Sequence, residues 1–260
     1  MKKSEILVES SGQVRIITLN RPENMNALDL PTLEALASIV AGLKSDRSAR
    51  VVVVTGSGEK AFCSGADLKE RSGLTPDQVR RFITLIRDTF TAIEALPQPV
   101  IAAVNGLALG GGTELALASD LRVASDLATL GLTEVKWAVI PAAGGTQRLP
   151  RLIGKGRAME MILTGRRVGA AEALAIGLVN RVVPAGELMT ATMEMAGLIL
   201  EAGPIAVQQA KRAIHQGSET GLSAGLLLET AAYETVIPTR DRLEGLAAFR
   251  ERRKPVYVGE

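Results

Sequence analysis

The sequence predicts an α/β fold in which a parallel sheet is followed by a mostly helical C-terminal region. In the first 150 or so residues, short apolar runs of strand length alternate with segments of helical spacing. This alternation is typical of parallel strands joined by crossover helices. Beyond that point the pattern is almost entirely helical. We therefore expect a core at residues 1–195 that carries the active site, and a helical region at 196–260.

The individual elements follow from periodicity and from turn residues. The valine run at 51–54 is typical of a strand buried on both faces. The segment at 79–93 begins after Pro76 and places apolar residues three and four positions apart, which indicates an amphipathic helix. The predicted strands are 14–19, 51–54, 100–104, 120–124 and 178–183. The predicted helices are 33–43, 79–93, 115–118, 155–163, 170–176, 187–201, 204–216, 223–235 and 240–253.

Composition restricts the class of protein. Thirty Lys and Arg against 28 Asp and Glu give a net charge of +2, so no basic face for nucleic acid is expected. The one cysteine, Cys63, excludes an intrachain disulfide and favours a reducing compartment. No run of about 18 apolar residues occurs, and residues 1–5 lack the apolar stretch of a signal peptide. We expect a cytoplasmic protein that neither spans nor binds a membrane.

Scarcity of certain residues excludes several mechanisms. The one histidine, His215, lies in a helical pattern far from any serine or cysteine motif, which leaves a Ser-His-Asp triad unsupported. A zinc site of histidines and cysteines is excluded by their number, and no metal is expected. Aromatic residues make up 3% of the chain, too few for base-stacking surfaces. An enzyme built on this chain would use carboxylates, backbone amides or a lysine.

The most informative motif is a glycine run at residues 106–114 (GLALGGGTE), between a predicted strand and a predicted helix. It is not a dinucleotide fingerprint, because Leu115 stands where the third glycine is required. Glycines at such a turn let backbone N–H groups approach a ligand, and a helix N-terminus favours negative charge. Glu114 follows within one helical turn. This pairing of anion-stabilising amides with a carboxylate points to chemistry on a carbonyl.

Two further segments match this interpretation. Residues 62–68 (FCSGADL) form a second small-residue loop, which would supply another N–H to the same oxygen and so complete an oxyanion hole. The alternative is that small residues simply allow a tight turn. Glu134 stands among apolar neighbours, where a raised pKa would suit proton transfer near neutral pH. The alternative is a solvated glutamate at a helix start.

Four segments together resemble a known family. They are residues 20–27 (NRPENMNA), 62–70 (FCSGADLKE), 105–120 and 141–149 (PAAGGTQRL). In this order and spacing they are similar to motifs of the crotonase (enoyl-CoA hydratase/isomerase) superfamily, from about residue 14 to the C-terminus. The resemblance implies a crotonase-like core, a superhelix of ββα units, with a C-terminal helical region that forms trimers.

The resemblance also implies a reaction. The backbone N–H groups of Ala66 and Gly111 would hold the thioester oxygen of a coenzyme A substrate. Glu114 would activate water for attack on Cβ, and Glu134 would supply the proton to Cα. The implied reaction is reversible syn addition of water to a trans-2-enoyl-CoA, giving a 3-hydroxyacyl-CoA, in fatty-acid or branched-chain amino-acid breakdown. No cofactor is implied, because coenzyme A is part of the substrate.

Substrate contacts are implied by the same resemblance. Besides Ala66 and Gly111, the residues expected to bind substrate or CoA are Lys60, Asp67, Leu68, Lys69, Ala142 and Arg252. Ala142 stands where hydratases often have glycine. Arg252 matches a segment that reaches CoA from a neighbouring subunit, so a homo-oligomer is expected, either a trimer or a dimer of trimers.

Three alternatives remain open. Residues 65–71, 144–151 and 237–245 look like the methylglutaconyl-CoA hydratase branch of the superfamily. A Δ3,Δ2-enoyl-CoA isomerase is the second enzymatic alternative. The non-enzymatic alternative is RNA binding, since that branch includes RNA-binding proteins. Residues 44–50 offer only three cations against one acid for this purpose, and we do not expect nucleic acid as a partner.

Overall fold

The structure, a computed structural model, describes residues 4–260 and divides the chain into two compact units. The first unit extends to Leu96 and continues from Val100 to Met193. The second unit contains Pro97–Pro99 and Glu194–Glu260. The assignment of the C-terminal region to oligomerisation stays a prediction.

The strands all belong to the first unit and confirm the predicted α/β class. They are β1 (Ile6–Ser11), β2 (Val14–Leu19), β3 (Val51–Gly56), β4 (Ala61–Cys63), β5 (Val100–Val104), β6 (Leu107–Leu109), β7 (Leu121–Ser125), β8 (Thr129–Gly131), β9 (Val168–Gly169) and β10 (Arg181–Val183). Each of the five predicted strands overlaps an observed one.

Most helices lie where periodicity predicted them, but those at Leu68–Arg71 and Gly145–Ile153 were not predicted. The helices are α1 (Leu30–Leu43), α2 (Leu68–Arg71), α3 (Pro76–Glu94), α4 (Gly111–Leu117), α5 (Gly145–Ile153), α6 (Lys155–Thr164), α7 (Ala170–Ala175), α8 (Leu188–Leu200), α9 (Pro204–Gly217), α10 (Leu222–Val236) and α11 (Arg240–Glu251). A capping box fixes the start of α3, where Thr75 and Gln78 exchange side-chain and backbone hydrogen bonds. In the part of the chain that is described, no helix has the length and apolar character that a membrane span requires.

A six-stranded sheet forms the larger layer of the first unit, in the order β1-β2-β3-β5-β7-β10. β1 pairs antiparallel to β2, and the remaining pairs are parallel. The valines of β3 are inaccessible to solvent, as expected for a strand covered on both faces.

A smaller four-stranded sheet, in the order β4-β6-β8-β9, was not predicted from the sequence. Its strands have three residues or fewer, which is too short to show a periodic pattern. β4, β6 and β8 follow β3, β5 and β7 respectively, so the chain repeats a unit of two strands and then a helix or helical turn. Because β4, β6 and β8 are parallel, the loops that follow them meet at one edge of this sheet.

The second unit consists mainly of helices and includes the C-terminal tail. Asp241, in the first turn of α11, holds this tail by accepting hydrogen bonds from the N–H groups of Val258 and Gly259 at 2.8 and 2.9 Å. His215 lies in the last turn of α9. Arg252 ends α11 in the left-handed region, with a φ of 55°.

Gly112 is the position at which the fold leaves no room for a side chain. A Cβ added there would lie 1.9 Å from the carbonyl oxygen of Cys63, a backbone atom of β4 that cannot move aside. We expect Gly112→Ala to lower the free energy of unfolding by about 2 kcal/mol, the usual scale of overpacking. Urea denaturation measures this change.

The matched control is Gly156→Ala on α6, where an added Cβ meets nothing within 4 Å. There the expected change is zero or a gain of up to about 1 kcal/mol, since alanine favours the helix. Equal effects of the two substitutions would contradict the close packing of α4 on β4.

Candidate active site

A cavity of about 460 Å³ opens where the loops after β4, β6 and β8 meet. Its walls are mainly apolar, with side chains of α3 on one side and residues 137–140 on another. Three charged residues are among those that line it, namely Arg71, Glu114 and Glu134. An apolar cavity with a few convergent polar groups is the usual form of a small-molecule site.

The first polar feature is a pair of unused backbone N–H groups, those of Ala66 and Gly111. Within residues 4–260 neither donates a hydrogen bond to the protein, although the adjacent N–H groups of Asp67 and Gly110 do. The two loops are in close contact, because a Cβ added at Gly111 would lie 3.7 Å from the nitrogen of Ala66. Both residues line the cavity. This arrangement can stabilise negative charge on an oxygen atom of a ligand.

Glycine is needed at the two positions that bring these loops together. Gly65 has a φ of +95° and Gly110 a φ of +51°, in the region that L side chains rarely adopt. A Cβ on Gly65 would lie 2.7 Å from the carbonyl oxygen of Leu109. Glycine at these positions therefore allows both the positive φ angle of the turn and the close approach of the two loop backbones.

Glu114, in the first turn of α4, is buried with 3% of its surface exposed. Its Oε1 accepts hydrogen bonds from the N–H groups of Ala143 and Gly145, each at 2.8 Å. Burial raises the pKa of the Glu114 carboxyl, while these two bonds and the nearby charge of Arg148 oppose the rise. Two N–H donors therefore stabilise the ionised form of a buried acid.

Arg148 fixes the loop that provides these donors. Its guanidinium pairs with both carboxylate oxygens of Glu94, at 2.9 and 2.7 Å, and its Nη1 donates to the carbonyl oxygen of Ala143 at 2.9 Å. A bidentate arginine–carboxylate pair of this kind fixes the orientation of the guanidinium more firmly than a single hydrogen bond does. The sequence analysis found Arg148 only as part of a motif, since its partner lies 54 positions away.

Glu134 begins the short 3₁₀ turn at Glu134–Trp137 and differs from Glu114 in its hydrogen bonding. Burial, followed by the negative charge of Glu114, raises the pKa of the Glu134 carboxyl from 4.5 to about 7, although the charge of Arg71 acts in the opposite direction. In the described chain, its Oε2 is buried without a hydrogen-bond partner. Of the two glutamates, Glu134 is thus the one suited to donate a proton near neutral pH.

Of the other residues predicted to bind substrate or CoA, some line the cavity and some lie outside it. Leu68 and Ala142 line the cavity. Asp67 instead caps α2, accepting from the N–H of Lys69 at 3.1 Å. The side chains of Lys60 and Lys69 are exposed and lie outside the cavity lining. Roles for Lys60, Asp67 and Lys69 in binding CoA stay predictions.

Two arginines near the site received no individual role in the sequence analysis. Arg21 bridges Asp29 and Asp67 at 2.9 and 3.2 Å, which ties the Ala66 loop to the start of α1. Arg71 lines the cavity. Arg71 is the last residue of the motif at residues 65–71 that the sequence analysis identified. The motif did not show that its side chain lies at the cavity.

Comparisons of sequence and of structure show which known proteins this chain resembles. The family described as "Enoyl-CoA hydratase/isomerase" matches residues 9–260. Human "Methylglutaconyl-CoA hydratase, mitochondrial" is 44% identical over 98% of this chain and 76% of its own. "Short-chain-enoyl-CoA hydratase" of Clostridium acetobutylicum is 40% identical over 98% and 97%. The crystal structure of an enoyl-CoA hydratase from Bacillus anthracis superposes with a TM-score of 0.97 at 54% identity, covering 99% of this chain and 100% of the other.

The raised pKa of Glu134 makes stability depend on pH. Because the folded-state pKa of about 7 exceeds 4.5, the folded chain binds more protons than the unfolded chain between these values. The contribution of Glu134 to the free energy of unfolding therefore falls as pH rises through this window. We expect Glu134→Gln, which does not titrate, to become more stable relative to wild type over the same window.

Above pH 7 the free energy of unfolding of Glu134→Gln, relative to wild type, should have increased by about 3 kcal/mol, since one pKa unit corresponds to about 1.4 kcal/mol. Denaturant unfolding at several pH values measures it, and the difference at pH 4.5 serves as the internal reference. A difference between the two proteins that does not change with pH would show that Glu134 titrates normally.

Proposed function

The chain belongs to the enoyl-CoA hydratase/isomerase family and is an enoyl-CoA hydratase, and we propose that it adds water in the syn sense to a trans-2-enoyl-CoA. The observation that carries this proposal is the convergence of four groups on one cavity. Two are the N–H groups of Ala66 and Gly111, which donate no hydrogen bond within residues 4–260, and two are the carboxyls of the buried Glu114 and the partly buried Glu134. The reverse reaction, dehydration of a 3-hydroxyacyl-CoA, uses the same groups.

The amides are assigned to the thioester oxygen. When the oxygen of water bonds to Cβ, the electron pair of the double bond moves toward the carbonyl, and negative charge develops on its oxygen. The N–H groups of Ala66 and Gly111 are held in place before the reaction and are not used elsewhere in the described chain. Loss of one such donor typically costs about 3–4 kcal/mol of transition-state stabilisation.

Glu114 is assigned as the general base. Its Oε1 is engaged by two N–H donors, which leaves Oε2 as the oxygen proposed to receive a proton from water. The same donors orient the carboxylate and favour its ionised form. The proton of water passes to Glu114 as its oxygen bonds to Cβ.

Glu134 is assigned as the general acid. Its pKa of about 7 keeps a large share of the group protonated at neutral pH. It transfers that proton to Cα, and proton exchange then returns a proton to Glu134 and removes one from Glu114. Since both carboxyls line one cavity, water and proton are proposed to arrive on the same face of the double bond. We expect no metal and no cofactor beyond the CoA of the substrate.

The narrower assignments stay predictions. The isomerase alternative needs only proton transfer along the acyl chain, whereas the presence of two carboxyls with different hydrogen bonding in one cavity favours hydration. Product analysis with a 3-enoyl-CoA distinguishes the two reactions. Specificity for methylglutaconyl-CoA, a role in fatty-acid or branched-chain amino-acid breakdown, and a cytoplasmic location, which the single cysteine supports, likewise stay predictions.

The second unit is proposed to join chains into a homo-oligomer, a trimer or a dimer of trimers. α10 exposes several large apolar side chains, namely Leu222, Leu226, Leu227 and Tyr233, with exposed fractions of 51 to 78%. Exposed apolar surface of this kind marks association sites. In such an assembly Arg252 of one chain is proposed to contact CoA bound to a neighbour, together with Lys60 and Lys69.

Substitution of either carboxyl should abolish most of the activity. We expect Glu114→Gln and Glu134→Gln each to lower kcat for hydration of crotonyl-CoA by about 10²–10⁴-fold, the usual contribution of a positioned acid or base. Loss of the absorbance of the conjugated thioester measures the rate. The control, Glu34→Gln on the exposed face of α1, should match wild type. Unimpaired turnover in either active-site variant would refute the assignment of that residue.

Assembly can be tested separately from catalysis. Sedimentation equilibrium should give three or six times the mass of 27.4 kDa for one chain. Leu226→Glu combined with Leu227→Glu should reduce this mass, because charges would be buried at the contact. Leu7→Glu, on the exposed edge strand β1, serves as the control and should leave the mass unchanged. A wild-type monomer would contradict the proposal.

A further inference from the structure

We propose that Arg21 is a positioning residue for the oxyanion hole, because its guanidinium holds the loop that presents the N–H of Ala66. This inference rests on the proposed hydration and adds a residue that acts on the reaction through another residue. The starting observation is the motif at residues 20–27 (NRPENMNA), which supplies no group to the proposed chemistry and yet lies against the loop at residues 64–67.

The backbone of Leu28 contacts this loop on both sides of Ala66. The N–H of Leu28 donates to the carbonyl oxygen of Gly65 at 2.8 Å, and its carbonyl oxygen accepts from the N–H of Asp67 at 2.9 Å. The N–H of Ala66, between these two bonds, donates to no protein group within residues 4–260. Its direction is therefore determined by the contacts that the neighbouring residues make with the segment after the motif.

Arg21 joins the same two segments by charge. Its Nη2 lies 2.9 Å from the carboxylate of Asp29 and 3.2 Å from that of Asp67, and its Nη1 donates to the carbonyl oxygen of Ala27 at 2.6 Å. The three charged side chains are only 13 to 16% exposed, so water screens their interaction less than at an open surface. Because Asp67 directly follows Ala66, the ion pair acts on the residue next to the proposed donor.

The backbone of Arg21 is itself fixed by the buried side chain of Asn26. The Oδ1 of Asn26 accepts from the N–H of Arg21 at 3.0 Å, and its Nδ2 donates to the carbonyl oxygens of Ser57 and Ala61 at 3.0 and 2.8 Å. Ser57 directly follows β3, and Ala61 begins β4. The guanidinium of Arg21 is thus held from the strands that lead into the Ala66 loop.

Loss of the guanidinium would leave two carboxylates facing each other. Asp29 and Asp67 both approach Nη2 of Arg21 through their Oδ2 atoms, and like charges at such a separation repel. Asp29 caps α1, which has 14 residues, whereas Asp67 caps α2, which has four. The shorter helix has fewer hydrogen bonds to hold it in place, so the loop at residues 66–67 is the side that moves. This movement displaces the N–H of Ala66.

A contact with the phosphates of CoA is a second way in which a cation at this position could affect turnover. Arg21 lies outside the residues that line the cavity in the described chain, and its guanidinium is already engaged by two carboxylates and a carbonyl oxygen. The two roles differ in their kinetic effects. Positioning of the Ala66 amide affects kcat and the polarisation of the thioester carbonyl, whereas a phosphate contact affects the affinity for CoA.

The first test is kinetic. We expect Arg21→Met to lower kcat for hydration of crotonyl-CoA by about 10- to 100-fold, the scale expected when a stabilising group is slightly displaced. The inhibition constant of free CoA should remain that of wild type. The matched control is Arg15→Met on β2, whose arginine is 14% exposed and pairs with Asp46 at 3.2 Å. This control removes an ion pair of similar burial and should retain the wild-type kcat.

The second test measures the oxyanion hole directly. Butyryl-CoA, the saturated counterpart of crotonyl-CoA, is isotopically labelled at its thioester carbonyl and bound to the protein for infrared difference spectroscopy. In the wild type, hydrogen bonds to the carbonyl oxygen should move its stretching band to lower frequency than in water. Arg21→Met should lose much of this shift, whereas Arg15→Met should keep it. A general loss of stability reduces the amount of folded protein and does not change the frequency of the bound ligand.

Two further variants keep the test decisive if Arg21→Met fails to fold. Arg21→Lys should retain part of kcat and of the infrared shift, since lysine supplies the charge without the planar fork. Asp67→Asn keeps an oxygen to accept from the N–H of Lys69, a bond of 3.1 Å in the wild type, but removes the charge that pairs with Arg21. It should also lower kcat, and Arg21→Met should have a smaller effect in this background than in wild type, because both changes act on one contact.

Three results would overturn the inference while leaving hydration intact. They are equal kcat values for Arg21→Met and Arg15→Met, an unchanged carbonyl frequency in a folded Arg21→Met or Arg21→Lys variant, and additive effects of the changes at Arg21 and Asp67. Weaker binding of CoA with an unchanged kcat would assign Arg21 to CoA and would likewise contradict a positioning role. Absence of crotonyl-CoA hydration by the wild type would instead contradict the proposed function itself.

Discussion

The site depends on backbone contact between the helical turn of α4 and the short strand β4. The Cα of Gly112 packs so closely on the carbonyl of Cys63 that a single methyl group would overlap it. This contact sets the separation of the loops after β4 and β6, and hence the positions of the Ala66 and Gly111 amides. Since an oxyanion hole requires donors placed within a few tenths of an ångström, rigid backbone packing suits it better than flexible side chains.

The same packing creates the electrostatic difference between the two glutamates. Closing the loops buries both carboxyls, which raises the pKa of each. The loop that Arg148 anchors gives Glu114 two N–H donors, whereas Oε2 of Glu134 has no partner in the described chain. The two N–H donors favour the ionised form of Glu114, and Oε2 of Glu134 lacks such a donor within residues 4–260, so the two side chains are suited to different roles, as a base and an acid.

The sequence predicted most of the longer elements, missing β1 and α5, and it predicted none of the strands of the small sheet. β3, β5 and α3 are long enough for apolar periodicity to show, whereas the strands of the small sheet contribute too few residues. The catalytic candidates Glu114 and Glu134 emerged from motifs and from the expected fold. Their supports did not, because the pairs Arg148–Glu94 and Arg21–Asp67 join residues about 50 positions apart, and such pairing follows from the fold alone.

The buried or half-buried arginines Arg122 and Arg148 of the first unit have their guanidinium groups hydrogen-bonded within the protein. Arg122 is almost fully buried, yet its guanidinium donates to the carbonyl oxygens of Leu178, Ser119 and Ala116. Arg148 is likewise satisfied, by Glu94 and by a carbonyl oxygen. Removing a guanidinium from water costs free energy that these contacts offset. Within residues 4–260, Arg71 forms neither a salt bridge nor a side-chain hydrogen bond, and its guanidinium carbon instead lies 5.8 Å from the centre of the Phe82 ring in the cavity wall.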